Sequence, residues 1–160
     1  MLTSDLRKTV SVALTALLVA ETAPETLLLV MPADHVIADI VAFHDALSKG
    51  MLLAKQNYLV TFGITPNSPE TGYGYIQMGG KLTDGSATIA AFVEKPNVAT
   101  AEQYLISGDY LWNSGMFIWK VSTLLTMIER HLPDLYQGLM TIKAAIGTDD
   151  EQQVIAEVFE

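Results

Sequence analysis

Two hydrophobic rhythms run along this chain. Leu27–Val30 is an unbroken apolar run that Met31 extends. A strand with one wet face would alternate. This run therefore predicts a strand covered on both faces, as in the parallel sheet of an α/β domain. Pro32 has no backbone N–H to give the ladder and should end it. Asn57–Ile64 (NYLVTFGI) reads as a second such strand, rich in β-branched and aromatic residues. Between them, residues 36–55 place Ile40, Phe43, Leu47, Met51 and Ala54 at steps of three and four. That is one stripe of a helix, weakened or bent at Gly50. Strand, helix and strand make a βαβ unit with a right-handed crossover.

Before this unit, residues 4–20 repeat Leu6, Val10, Leu14, Leu17 and Leu18 at helical spacing, with Ser4 as N-cap. Arg7 and Lys8 ahead of the apolar Val10–Ala20 also have the outline of a signal peptide. Asp5 interrupts the basic region and the run is too short to span a bilayer, so a buried helix is expected. After the second strand, Pro66–Gly72 (PNSPETG) is a loop dense in turn residues. Tyr73–Met78 and Ser86–Val93 predict a strand pair joined by Gly79–Gly85. A helix over 98–107 follows, capped by Asn97 or Thr100. Tyr110–Lys120 is strand-rich but broken by Asn113-Ser114-Gly115. Helices over 121–131 and 134–146 flank Pro133, and Asp149–Phe159 makes a last one. No repeat, low-complexity tract or linker interrupts the 160 residues, which read as a single domain.

Composition narrows the function classes. Half the residues are hydrophobic and 17% are charged, which excludes disorder. A formal charge of −9 argues against a nucleic-acid partner held by phosphate charge. A nucleotide stays open, because metal, backbone amides and one or two lysines can bind it locally. With no cysteine, disulfides, thiolate metal sites and cysteine nucleophiles are excluded, and a reducing cytoplasm is permitted.

Four stretches carry candidate chemistry. Asp34 follows the first strand, where ligands bind in open α/β sheets. It either caps the next helix or holds a hard cation such as Mg²⁺. Gly72 and Gly74, around Tyr73, would share one face of an extended chain and let a flat polar ligand lie on the backbone. A bulge or bend is the plainer explanation. Glu94 and Lys95 end an apolar strand before Pro96. A carboxylate there can accept bonds from sugar hydroxyls and a lysine can neutralise phosphate, unless the two are only a solvated pair. Asn113 interrupts a bulky strand and needs partners, either a ligand or its own bulge. Histidines 35, 44 and 131 have no metal spacing, and no P-loop, dinucleotide fingerprint, nucleophile elbow or zinc motif occurs.

Taken together, LLLVMPADHVI, LVTFGITPNSPETGYGYIQ, AFVEKPNVATAEQYL and YLWNSGMFIWK resemble, in order and spacing, the mannose-1-phosphate guanylyltransferases, including the transferase half of the bifunctional isomerase/guanylyltransferases. The likeness runs from about Arg7 to Pro133. It implies an α/β, Rossmann-like nucleotidyltransferase of the glycosyltransferase-A type, with a mostly parallel central sheet flanked by helices. It implies GTP and α-D-mannose 1-phosphate as substrates, GDP-mannose and pyrophosphate as products, Mg²⁺ as cofactor, and a cytoplasmic protein with no nucleic-acid or membrane partner. Asp34 would be a Mg²⁺ ligand and, with Lys95, part of the catalytic set. Gly72, Tyr73, Gly74, Glu94 and Asn113 would bind mannose, and Lys95 its phosphate. The family's glycine-rich arginine loop and its later metal carboxylate have no counterpart here. The expectation is thus a single partial domain, incomplete at both ends, that keeps the sugar side, turns over poorly alone and self-associates; the alternatives are a non-catalytic sugar-phosphate-binding module and a related transferase for another sugar or nucleotide.

Overall fold

A computed structural model of the 160-residue chain describes residues 3–159, with side chains from Val10 to Val158. The elements are α1 (Thr3–Ala20), β1 (Leu27–Val30), α2 (Ile40–Lys55), β2 (Val60–Ile64), β3 (Tyr75–Lys81), β4 (Ala87–Val93), α3 (Val98–Ser107), β5 (Tyr110–Lys120), α4 (Val121–His131), α5 (Pro133–Ala145) and α6 (Glu151–Phe159). This is an α/β arrangement with one five-stranded sheet in the order β1-β5-β3-β4, β2 pairing with β5. The chain divides into two compact units. The first comprises Met1–Val30, Met51–Leu59 and Ile118–Glu160; the second comprises Met31–Gly50 and Val60–Phe117.

The first unit is a helical core. α1 packs on α4 and α5. Its buried residues are Val10, Ala13, Ala16 and Leu17, while Leu18 is exposed and Leu14 is half-buried. The buried line keeps Val10 and Leu17 of the predicted stripe and takes in Ala13 and Ala16, whose small side chains let helices approach closely. Ser4 and Leu6 lie outside the described side chains. α4 adds Val121, Leu124 and Ile128, and α5 adds Leu139, Ile142 and Ala145, all at steps of three and four. The amides of Val121 and Ser122 donate to the carbonyls of Thr26 and Pro24, satisfying groups a helix start leaves open. Leu28 of β1 joins this core, but Leu29 is exposed. The expectation that β1 is covered on both faces is therefore corrected. β1 ends the strand order, with Leu28 against the helical core and Leu29 open to solvent.

The second unit carries the hairpin. β3 runs antiparallel to β4, with Tyr75 opposite Val93, and antiparallel to β5, with Tyr75 opposite Trp112. The predicted mostly parallel sheet does not hold for these pairings. The short turn between β3 and β4, closed by Leu82 N–H on the Ser86 carbonyl, leaves no room for a parallel crossover. α3 is capped by the Asn97 side chain, which accepts from Thr100 N–H at 2.9 Å, so Asn97 is the cap and not Thr100. α2 starts at Ile40, four residues later than predicted, because Asp39 Oδ1 accepts from Ala42 N–H at 2.9 Å and sets the helix start there.

Candidate functional site

All the predicted site residues lie in the second unit. Tyr75 is level with Val93 and Trp112, so one step back Gly74, Glu94 and Asn113 share the next row across three strands. Asn113 N–H donates to the Gly74 carbonyl at 2.8 Å. A Cβ on Gly74 would stand 3.2 Å from Glu94 Oε2 and 3.7 Å from Asn113 Cβ. The three residues therefore meet on one face, with Gly74 as the hollow between a carboxylate and an amide.

Alternation along the strands puts Trp112 and Tyr75 on the opposite face. Tyr73 goes with them: its ring meets Trp112 edge-on at 5.2 Å. Gly72 lies in a bend, and nothing stands within 4 Å of where its Cβ would be. The expected shared face of Gly72 and Gly74 is thus absent, because β3 begins only at Tyr75 and the chain before it bends.

Glu94 and Lys95 form an ion pair of 3.5 Å at the rim of the row, their side chains 77% and 52% exposed. Lys95 has φ +39°. This left-handed backbone is what allows two consecutive residues at a strand end to reach the same place. Asn113 serves its bulge as well as the row. Its Oδ1 accepts from Gly115 N–H at 3.1 Å, and the buried Ser114 hydroxyl donates to the Phe62 carbonyl at 2.6 Å. Those bonds fix the Asn113 amide with its oxygen inward, leaving Nδ2 as a donor.

Asp34 is exposed in a turn and makes no hydrogen bond or ion pair among the described residues. Since Asp39 caps α2, Asp34 is not the helix cap. Pro32 connects this turn to the site segment, with its Cγ 3.4 Å from the Cβ position of Gly115. Among the described residues no three His, Cys, Asp or Glu side chains cluster as metal ligands. A lone carboxylate fits a cation that takes its remaining ligands from phosphate oxygens and water, as Mg²⁺ commonly does. It does not fit a cation caged by protein alone. On the face opposite the row, the buried indole Nε1 of Trp112 has no hydrogen-bond partner among the described residues. A tryptophan in an apolar strand gives no sign of its orientation.

Residues 6–153 match the family described as nucleotidyl transferase. A mannose-1-phosphate guanylyltransferase of Klebsiella pneumoniae is 45% identical over 153 residues, which are 93% of this chain and 32% of that protein. The chain thus spans about a third of the length of the curated relatives it matches. A solved structure titled mannose-1-phosphate geranyltransferase, from Thermus thermophilus, superposes with TM-score 0.78 at 32% identity, covering 92% of this chain and 43% of that one. One titled mannose-6-phosphate isomerase, from Helicobacter pylori, superposes with TM-score 0.73 at 33% identity, covering 85% and 50%.

Proposed function

The chain belongs to the nucleotidyl transferase family, and from that premise we propose that it carries the sugar-phosphate side of a mannose-1-phosphate guanylyltransferase. The reaction proposed joins GTP and α-D-mannose 1-phosphate to give GDP-mannose and pyrophosphate. The observation that supports this most is the row of Asn113, Gly74 and Glu94 with Lys95 at its rim. In this reading the Glu94 carboxylate accepts from sugar hydroxyls, Asn113 Nδ2 donates to a sugar oxygen, and Lys95 neutralises the phosphate. Gly74 gives the ring its seat, while Gly72 in the bend and Tyr73 on the opposite face lie outside it. The sugar-phosphate oxygen attacks the α-phosphorus of GTP in line and pyrophosphate leaves, so the residues orient and neutralise rather than form a covalent intermediate. Asp34 would hold Mg²⁺, which when bound offsets the charge of the phosphates.

The finer architecture belongs to the same proposal: residues 1–160 as part of one Rossmann-like domain whose complete sheet is mostly parallel. Among the described residues no helix is long and apolar enough to cross a membrane. We place the reaction in the cytoplasm, which a cysteine-free chain permits.

Calorimetric titration of mannose 1-phosphate into the 160-residue chain tests the proposal, alongside pyrophosphate release in the presence of GTP and Mg²⁺. Saturable binding that Glu94→Gln weakens supports the reading. Absence of binding, or binding that Glu94→Gln leaves unchanged, contradicts it. Turnover on the order of 1 per second, an ordinary enzymatic rate, would show that this stretch also holds the nucleotide.

A further inference from the structure

Ser114 is 4% exposed and shares the buried positions of β5 with Met116 and Ile118. An apolar side chain would suit those neighbours better, since a buried hydroxyl costs stability unless it is hydrogen-bonded. Here it is bonded twice. Ser114 Oγ donates to the Phe62 carbonyl of β2 at 2.6 Å and accepts from Met116 N–H at 3.1 Å. In return, Thr61 Oγ1 of β2 donates to the Met116 carbonyl of β5 at 2.9 Å. Each strand thus gives a side-chain hydroxyl to a carbonyl of the other.

The reciprocal pair brackets the point where β5 leaves regular geometry. Gly115 has φ +69°, and its N–H turns to Asn113 Oδ1 at 3.1 Å. A bulge disrupts the ladder and leaves backbone groups without their ordinary partners. The two hydroxyls bond backbone groups on both sides of it. One residue earlier, Asn113 N–H is tied to the Gly74 carbonyl at 2.8 Å. The bulge is therefore anchored to β3 ahead of it and to β2 within it. Repair of the ladder alone would make these bonds a matter of stability. The Gly115 bond adds a second consequence, because it fixes which way the Asn113 amide is turned. If the chain at Gly115 relaxed towards a regular strand, its N–H would leave Oδ1 and the amide would swing free.

We infer that Thr61 and Ser114 are positioning residues: their reciprocal hydroxyl bonds hold the bulge so that Asn113 keeps its Nδ2 donor turned to the row, and through Asn113 they set the affinity for a ligand that neither of them touches. The inference rests on the sugar-phosphate reading of that row. It requires the loss of either hydroxyl to weaken binding only while the Asn113 side chain is present. Hydroxyls that merely repair the ladder would change stability and leave that dependence absent.

The test uses Ser114→Ala and Thr61→Val, which each remove one hydroxyl, and Thr61→Ser, which keeps it. All are made in the full chain and again on Asn113→Ala, with calorimetry of mannose 1-phosphate and NMR of the Gly115 amide. In the chain with Asn113, Ser114→Ala and Thr61→Val should bind roughly fivefold more weakly, near the net worth of a single hydrogen bond, with the Gly115 amide shifted and exchanging faster. Thr61→Ser should bind as wild type does. On Asn113→Ala neither change should lower affinity further, because the group being positioned is gone. Equal losses with and without the Asn113 side chain, no loss at all, an unmoved Gly115 amide, or Thr61→Ser as weak as Thr61→Val overturns the inference, while weakening by Glu94→Gln keeps the sugar-phosphate reading. Should Ser114→Ala fail to fold, the two Thr61 variants decide by the same criteria. If the wild type does not bind mannose 1-phosphate at all, that reading is overturned and the inference with it.

Discussion

The two units of this molecule divide the work. The first puts Ala16, Val121, Leu139 and Ile142 fully out of solvent, on helices whose apolar stripes meet. The second buries Tyr75, Ile76 and Met116 but holds Asp34, Glu94 and Lys95 in the open. It also holds the left-handed Lys95 and the Asn113-Ser114-Gly115 bulge. Stability is concentrated where the sequence is periodic, and candidate chemistry where the sequence breaks its own pattern.

The sharpest way to break that comparison is to empty the first unit. Leu139→Ala removes a side chain with 0% exposure and should cost about 2–5 kcal/mol of stability. Denaturant unfolding measures that loss, and mannose 1-phosphate affinity should not move in the folded fraction. Weakened affinity would mean that the helical core also shapes the site.

Glu94→Gln is the complementary case. It should lower affinity by about 1.5–3 kcal/mol, the worth of a hydrogen bond to a charged group, with an unchanged unfolding midpoint. A shifted midpoint would make Glu94 a structural residue. Asn113 sits between the two regimes, since its Oδ1 already accepts from Gly115 N–H. Asn113→Asp keeps that acceptor and loses the Nδ2 donor, so it should bind more weakly at near-native stability. Asn113→Ala should lose binding and also about 0.5–1.5 kcal/mol of stability. Equal stability of the two variants would show that the bulge does not depend on this side chain.

The smallest effect returns to the first unit. The Lys120 ammonium and the Ser122 hydroxyl, both hydrogen-bonded to Glu25, hold its carboxyl below the ordinary value of 4.5. A carboxyl lowered on folding adds stability above its unfolded pKa and loses it as pH falls through the folded one. Melting temperatures should therefore decline more steeply below about pH 4.5 in wild type than in Glu25→Gln. Parallel curves would remove Glu25 from the acid response.

The parts legible in the sequence follow from this division. Helix periodicity locates α4 and α5 to within a residue, and the two strand-rich stretches around Gly79–Gly85 foreshadow the hairpin, although β3 starts at Tyr75 and runs on through both glycines to Lys81. The buried face of α1 is half legible: Val10 and Leu17 are buried as the stripe predicts, but Ala13 and Ala16 share the packing, and alanine contributes little to a hydrophobic stripe. β1 reads as doubly covered because an unbroken apolar run does not show that Leu29 meets solvent while Leu28 meets the helical core. In the site, Gly74, Glu94, Lys95 and Asn113 are identifiable as departures from apolar strands, and the register gathers them. The facing of Tyr73 towards Trp112 is not legible, since it depends on where β3 begins. Asp34 is separated from its capping alternative only by the observation that Asp39 caps α2.

The central claim is that a sugar phosphate seats on the row of Asn113, Gly74 and Glu94. Titrating mannose 1-phosphate into the isotopically labelled chain, and following backbone amides by NMR, tests it most directly. Saturable shifts should centre on Gly74, Glu94, Lys95 and Asn113. Shifts confined to the groove of Asn57, Ser122, Thr123, Thr126 and Met127 in the first unit, or no saturable shifts at all, would contradict it.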